Sequence, residues 1–191
     1  MTRDQLLRMT RGELLAVLRD GYPIAPDALD DTGYRGISLG LPTFVERLTW
    51  KTFQKTFSRD RSTGVLRGWN VRAEQRGLDA PTVAKQKRGR PWTFGHYHVV
   101  QSSDRMPRIG RTRGLLIHYG LGGNGRLDPT QRVRDPIVAV NPDSADLLLG
   151  WSYVDLAAFS LGTPIFFTLE REGPLGHLAA PPRPGRRSGA G

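Results

Sequence analysis

The stretch TWKTFQKTFSRDRSTGVLRGWNVRAEQ (residues 49–75) decides the fold class. Residues 49–57 are β-branched and aromatic, residues 59–64 form a turn cluster ending on Gly64, and residues 65–75 alternate, with Val65, Trp69, Val71 and Ala73 on one face. Such residues at a period of two, bounded by turn formers, spell strand, turn, strand. Working outward, the same signature recurs in WTFGHYHVVQ (92–101), GLLIHYGL (114–121), IVAV (137–140), ADLLLGWSYVDL (145–156) and TPIFFTLERE (163–172). About seven or eight short antiparallel strands in one domain predict an all-β fold, closed or nearly closed into a barrel, because closure removes exposed sheet edges. A barrel of about eight strands has room inside for one small ligand.

Upstream, residues 3–19 place Leu6, Leu7, Leu14, Leu15 and Leu18 at helical spacing, and Gly21 and Pro23 stop the run. Residues 22–43 are rich in Gly and Pro and read as loop, with a short helix over 43–48. Downstream, residues 174–191 are rich in Pro, Gly and Arg, the composition of a disordered tail. The organisation expected is an N-terminal helix (1–21), a barrel domain (22–173) and a tail (174–191).

Composition narrows the chemistry. The 191 residues include no Cys, which excludes disulfides, thiolate catalysis, iron–sulfur ligation and Cys-bound zinc. That fits a reducing compartment, and a cytoplasmic location is expected. No apolar run approaches the 18 or so residues of a membrane span. The net charge of +10 is uneven: residues 61–134 hold 15 basic and four acidic side chains, and the segments on either side nearly balance. The excess concentrates in Lys85-Gln86-Lys87-Arg88-Gly89-Arg90 and in Arg105, Arg108, Arg111 and Arg113, both among turn residues. Solvated loops are the plainest account; an anionic group on a ligand, or an acidic partner, is the sharper one. Nucleic acid is the weakest partner class, since no recognisable binding module accompanies the charge.

The ends of the chain carry a resemblance. Gly33-Tyr34-Arg35-Gly36 followed by Leu48-Thr49-Trp50-Lys51, and Asp146-Leu147-Leu148-Leu149-Gly150 followed by Pro164-Ile165-Phe166-Phe167-Thr168-Leu169-Glu170-Arg171, are similar to the opening and closing motifs of the GxWxG family of small lipocalin-like barrels, with Tyr34 where that family has Trp. The resemblance implies a lipocalin-like barrel and assigns no activity.

Two short motifs read better as turns. Gly36-Ile37-Ser38-Leu39-Gly40 satisfies the nucleophile-elbow pattern but lacks a following helix, and Gly120, Gly122 and Gly125 satisfy the dinucleotide fingerprint but run into Pro129. The imidazoles carry more. His96 and His98 share a strand face. A plain hairpin sets Tyr97 against His118, whereas a slip of one residue gathers His96, His98 and His118 on one face. Three imidazoles could hold zinc or iron, but the register is illegible across the long connection 102–113, so no metal and no other cofactor is assigned. As proton-transfer residues the candidates are His118, with Tyr97 assisting and Asp135 orienting the imidazole. As ligand-binding residues the candidates are Trp50, Trp69, Asn70, His96, His98, Tyr119, Trp151 and Tyr153, an aromatic wall with polar fixing groups.

Three function classes follow. The first is binding of an apolar or amphipathic small molecule inside the barrel. The second is a cofactor-independent barrel enzyme, a cyclase, isomerase or dehydratase acting on a polyketide- or terpenoid-like substrate through pocket His and Tyr. The third is binding of an anionic partner or nucleic acid through the basic 61–134 region.

Overall fold

The structure, a computed structural model, describes residues 1–39, 51–102, 106–107, 109–156 and 158–182. The short helix expected over 43–48 and the side chain of Trp50 lie outside these residues, as do Arg105 and Arg108.

Eight antiparallel strands close into a barrel. In chain order they are β1 (Thr32–Leu39), β2 (Thr52–Arg59), β3 (Leu66–Arg72), β6 (Thr93–Gln101), β7 (Leu115–His118), β8 (Val133–Ala139), β9 (Leu147–Asp155) and β10 (Ser160–Pro174), with β1 paired to both β2 and β10 to complete the ring. A two-stranded ribbon, β4 (Gln86–Lys87) and β5 (Arg90–Pro91), decorates the β3–β6 connection. Among the described residues no helix is long and apolar enough to cross a membrane.

The all-β barrel is therefore the fold, but the wall starts earlier than residue 49. The segment read as loop contains β1, every residue of which is buried. Its glycine is what made it look like a turn. A Cβ on Gly36 would stand 2.3 Å from the ring of Phe53, its direct partner on β2. The bare backbone is needed for packing rather than for bending.

The N-terminal helical segment is two helices, α1 (Arg3–Arg8) and α2 (Arg11–Asp20). Each opens with a capping box, Thr2 with Gln5 and Thr10 with Glu13, in which the threonine hydroxyl accepts from the backbone N–H three residues on. Met9 closes the first helix and Thr10 starts the next. Leu6, Leu14 and Leu18 are fully or almost fully buried against Leu149, Trp151 and Phe166 on the outside of the wall. Each such leucine contributes about 1.5–3 kcal/mol by leaving water, more than the propensity of short helices can supply. Gly21 lets the end of α2 touch the sheet, since a Cβ there would meet Val138 at 2.6 Å.

The interior is filled in one half only. A 3₁₀ turn at Pro26–Leu29 drives Leu29 into one end of the barrel, where it joins Phe57, Leu66, Ile137, Leu148 and Leu169. Residues 175–182, assigned to a disordered tail in the sequence reading, lie along the outer wall: Ala179 is buried beside Trp69 and Val71, and its carbonyl accepts from the Arg67 guanidinium at 3.0 Å.

Candidate functional site

The unfilled half holds a pocket of about 300 Å³, walled by Phe53, Phe94, Ile165 and Phe167 and floored by Lys55, Asn70, Tyr119, Asp135 and Ser152. Strand alternation explains the floor. On β2, Phe53, Lys55 and Phe57 share the inward face, so a lysine between two phenylalanines at i ± 2 is carried into the barrel. The same period points Asn70 inward on β3, Asp135 on β8 and Ser152 on β9.

These groups form one hydrogen-bonded set. The Lys55 ammonium donates to Asn70 Oδ1 at 3.0 Å, to Tyr119 Oη at 2.5 Å and to Asp135 Oδ2 at 3.2 Å. Tyr119 donates its own proton to Asp135 Oδ2 at 3.0 Å, and Ser152 donates to Asp135 Oδ1 at 2.7 Å. Asn70 is held by donation to the Gly95 carbonyl at 3.1 Å. Lys55 and Asp135 are only 2% exposed. Burial of an ion pair costs several kcal/mol per ion unless every remaining lone pair and proton is satisfied, as it is for this ammonium. Burial pushes the Lys55 ammonium below its ordinary value, with Asp135 pulling the other way. The Tyr119 phenol is driven well above its ordinary value, first by burial and then by the Asp135 charge.

Four rings surround the ammonium. The centroids of Tyr97, Tyr119 and Phe167 lie 5.1 Å from Nζ, and that of Phe53 lies 5.8 Å away. Three of these rings rest on inward-facing glycines of the neighbouring strand: Phe53 on Gly36, Tyr97 on Gly68 and Phe167 on Gly150, each glycine being the direct cross-strand partner of its ring. An added Cβ would meet those rings at 2.2–2.4 Å, so only glycine lets them lie flat on the wall and face the lysine.

Of the site residues expected from sequence, the structure gathers Asn70, Tyr97, Tyr119 and Asp135 in the barrel. The other described ones are elsewhere. His96, His98 and His118 lie on the outer face. His98 pairs directly with His118, so the register is the slipped one. Asp135, paired with Ile117, faces inward while His118, paired with Arg134, faces outward, so the carboxylate cannot orient that imidazole. Among the described residues no cluster of three His, Cys, Asp or Glu could hold a metal. All three imidazoles are pushed below their ordinary value by burial and by positive neighbours, His96 to about 4 beside Arg67.

Trp69 and Trp151 also face out. Trp69 is covered by the 175–182 segment, and Trp151 and Tyr153 lie in the layer beneath the helices. Trp92 stacks under the Arg72 guanidinium at 3.9 Å, with the Lys87 ammonium at 4.7 Å. The inner positions next to these aromatics are the polar ones, Asn70 and Ser152.

A bulge explains one further turn of the wall. Gly95 and His96 together oppose Trp69, between the pairs Gly68–Tyr97 and Asn70–Phe94. The bulge uses the left-handed backbone of Gly95, at φ 51°. Phe94 and Tyr97, three residues apart, therefore both face inward. The glycine-rich 120–125 segment closes onto this bulge. The Asn124 amide accepts from the His96 N–H at 2.9 Å and donates to its carbonyl at 2.7 Å, and a Cβ on Gly122 would collide with the same carbonyl at 1.9 Å. That segment is a backbone clasp, not a phosphate loop. Gly36-Ile37-Ser38 belongs to an antiparallel strand, not to a strand-to-helix elbow.

The described side chains of the two basic clusters do not line the pocket. Lys87 and Arg90 sit on the exposed ribbon. Arg111 and Arg113 join Arg19 around a shallow polar depression of about 570 Å³ that includes Gln101 and Gly114, at the filled end of the barrel. No protein-family model, curated protein or solved structure matches the chain.

Proposed function

We propose that the barrel binds a small amphipathic molecule in its open half, polar end toward Lys55, Tyr119 and Asp135 and apolar body against Phe53, Phe94, Ile165 and Phe167. One observation carries this reading: an apolar-walled pocket of about 300 Å³ ends on a fully buried, hydrogen-bonded ion pair. A wall built only for stability gains little from such a pair, since apolar residues of similar volume often do as well or better. Pockets with mainly apolar walls and a few convergent polar groups are the usual form of small-molecule sites. At protein-like packing density the space suits about a dozen non-hydrogen atoms. The two-ended resemblance together with the closed eight-strand ring supports placing the chain among lipocalin-like barrels.

A second reading, a cofactor-independent proton-transfer enzyme of the cyclase, isomerase or dehydratase kind, is favoured by the Tyr119 hydroxyl, which lies 2.5 Å from the ammonium and 3.0 Å from the carboxylate. Tyr119 replaces His118 as its acid. The ligand reading is tested by titrating the protein with 2-naphthalenemethanol and following the naphthalene emission. Saturable binding with Kd on the order of 10⁻⁴ M is expected from the ligand's size. Phe94→Asp, at the pocket rim, should abolish it, and Tyr22→Ala, an exposed residue that does not line the pocket, should leave it. Equal loss in both variants, or no saturation in the parent protein, would count against the pocket as the site.

A further inference from the structure

We propose that Lys55 is a nucleophile that condenses with the carbonyl group of a small apolar aldehyde or ketone entering the pocket, forming an imine at Nζ. The inference rests on the reading of the open half as a ligand site and names the chemistry of that ligand.

The hydrogen bonds of the ammonium point to it. All three N–H donors of Lys55 are taken by Asn70, Tyr119 and Asp135. None is left for a ligand anion, which would have to displace one of these buried partners. What the side chain can offer a ligand is a lone pair, released when one proton passes to Asp135. Its position fits: Lys55 lines the pocket, beneath the apolar walls that would hold the body of the carbonyl compound. Desolvation of a lysine is the usual way such an amine is made reactive near neutral pH, and burial shifts Lys55 in that direction.

The neighbours supply the proton traffic. The neutral amine adds to the carbonyl carbon, forming the N–C bond, while the carbonyl oxygen takes a proton from Tyr119. Asp135, holding the proton received from Lys55, restores the phenol through the 3.0 Å contact. A second proton moves from nitrogen by the same path, the C–O bond breaks, and oxygen leaves as water. Of the three ammonium protons, two depart in the water and one stays on the iminium nitrogen. Nothing is oxidised or reduced. The charge at Nζ is +1 before and after, so the Asp135 carboxylate and the four surrounding rings still face a cation.

The chain has four lysines, Lys51, Lys55, Lys85 and Lys87, which makes the test internally controlled. The full chain is incubated at neutral pH with 2-naphthaldehyde and sodium cyanoborohydride, which traps imines as secondary amines, and labelled lysines are identified by peptide mass mapping. Lys55 should be labelled at least about tenfold faster than the exposed Lys85 and Lys87, and 2-naphthalenemethanol should compete. Tyr119→Phe should slow labelling at Lys55 by about 10²-fold, the contribution typical of a positioned acid, with the rates at Lys85 and Lys87 unchanged. Lys55 labelled no faster than Lys85 and Lys87 in the parent protein overturns the proposal, whether or not the variant folds. If 2-naphthalenemethanol still binds saturably in that case, the imine fails and the ligand-binding reading stands; if it does not bind, both fail.

Discussion

Lys55 on β2 meets Asp135 on β8 at 3.2 Å across the lumen, four strands away around the eight-strand ring in either direction. The pair is a strut between opposite walls, with Tyr119 from β7's end and Asn70 from β3 bracing it on one side. A cross-lumen ion pair holds two distant parts of the sheet at a fixed separation and keeps polar atoms on the floor of a space that otherwise favours apolar filling.

Removing one partner should cost far more than removing both. Lys55→Met strands a buried carboxylate and Asp135→Leu strands a buried ammonium, each expected to lose about 3–5 kcal/mol. The double variant should lose less than the larger single effect, because no uncompensated charge remains. Urea unfolding of the three variants checks this; additive losses would mean that the two groups act independently.

The glycine seats under the aromatic rings are expected to be intolerant. Gly150→Ala pushes the Phe167 ring off the wall and should cost about 1–3 kcal/mol through overpacking. Shortening the ring, in Gly150→Ala with Phe167→Leu, should return part of that loss. A double-mutant cycle by chemical denaturation measures the coupling, and zero coupling would show that the ring and the glycine do not share the space.

Stability should fall between pH 6.5 and 4. His96 has a folded value of about 4 against an ordinary value of 6.5, set by burial first and Arg67 second. The unfolded chain therefore binds the proton more readily in that window. The contribution is fully present above pH 6.5, is lost as the pH falls, and amounts to about 2–3 kcal/mol once the solvent that still reaches the ring is allowed for. His98 and His118 shift in the same direction and add to it. In His96→Gln the decline measured by urea unfolding at pH 7 and pH 4.5 should be visibly shallower; an unchanged slope would assign the loss to other groups.

Thr10→Ala removes the cap that starts α2 and should cost about 1 kcal/mol. The helices lie outside the wall, so 2-naphthalenemethanol should bind the variant with an affinity within about twofold of the parent. A large drop in affinity would link the helices to the lumen in a way the packing does not suggest.

The barrel was legible because a period of two survives in most of its strands. β1 was not, because Gly33 and Gly36 sit among the prolines of residues 22–43 and imitate a loop, and only the Phe53 ring lying on Gly36 reveals why a strand needs a glycine there. The site was half legible. Asn70, Tyr97, Tyr119 and Asp135 were singled out by residue type, but were grouped with imidazoles and indoles that face the other way. Both faces of this wall are covered, the inner by core or pocket and the outer by the helices and the 175–182 segment, so large aromatics are buried on either side and their bulk does not tell lumen from exterior. The bulge at Gly95 adds a local reversal that alternation cannot anticipate. Lys55 went unnoticed because lysines ordinarily stay in water; the signal was Phe53 and Phe57 on its own strand face.

The outward placement of Trp69 and Trp151 has an optical consequence. Their indole light reports the seating of the helices and the C-terminal segment on the sheet, and a guest in the lumen would leave these two emitters nearly undisturbed. A ligand for this protein is best followed through a chromophore of its own, and a blue or red shift from these indoles is a sign of the outer layers loosening.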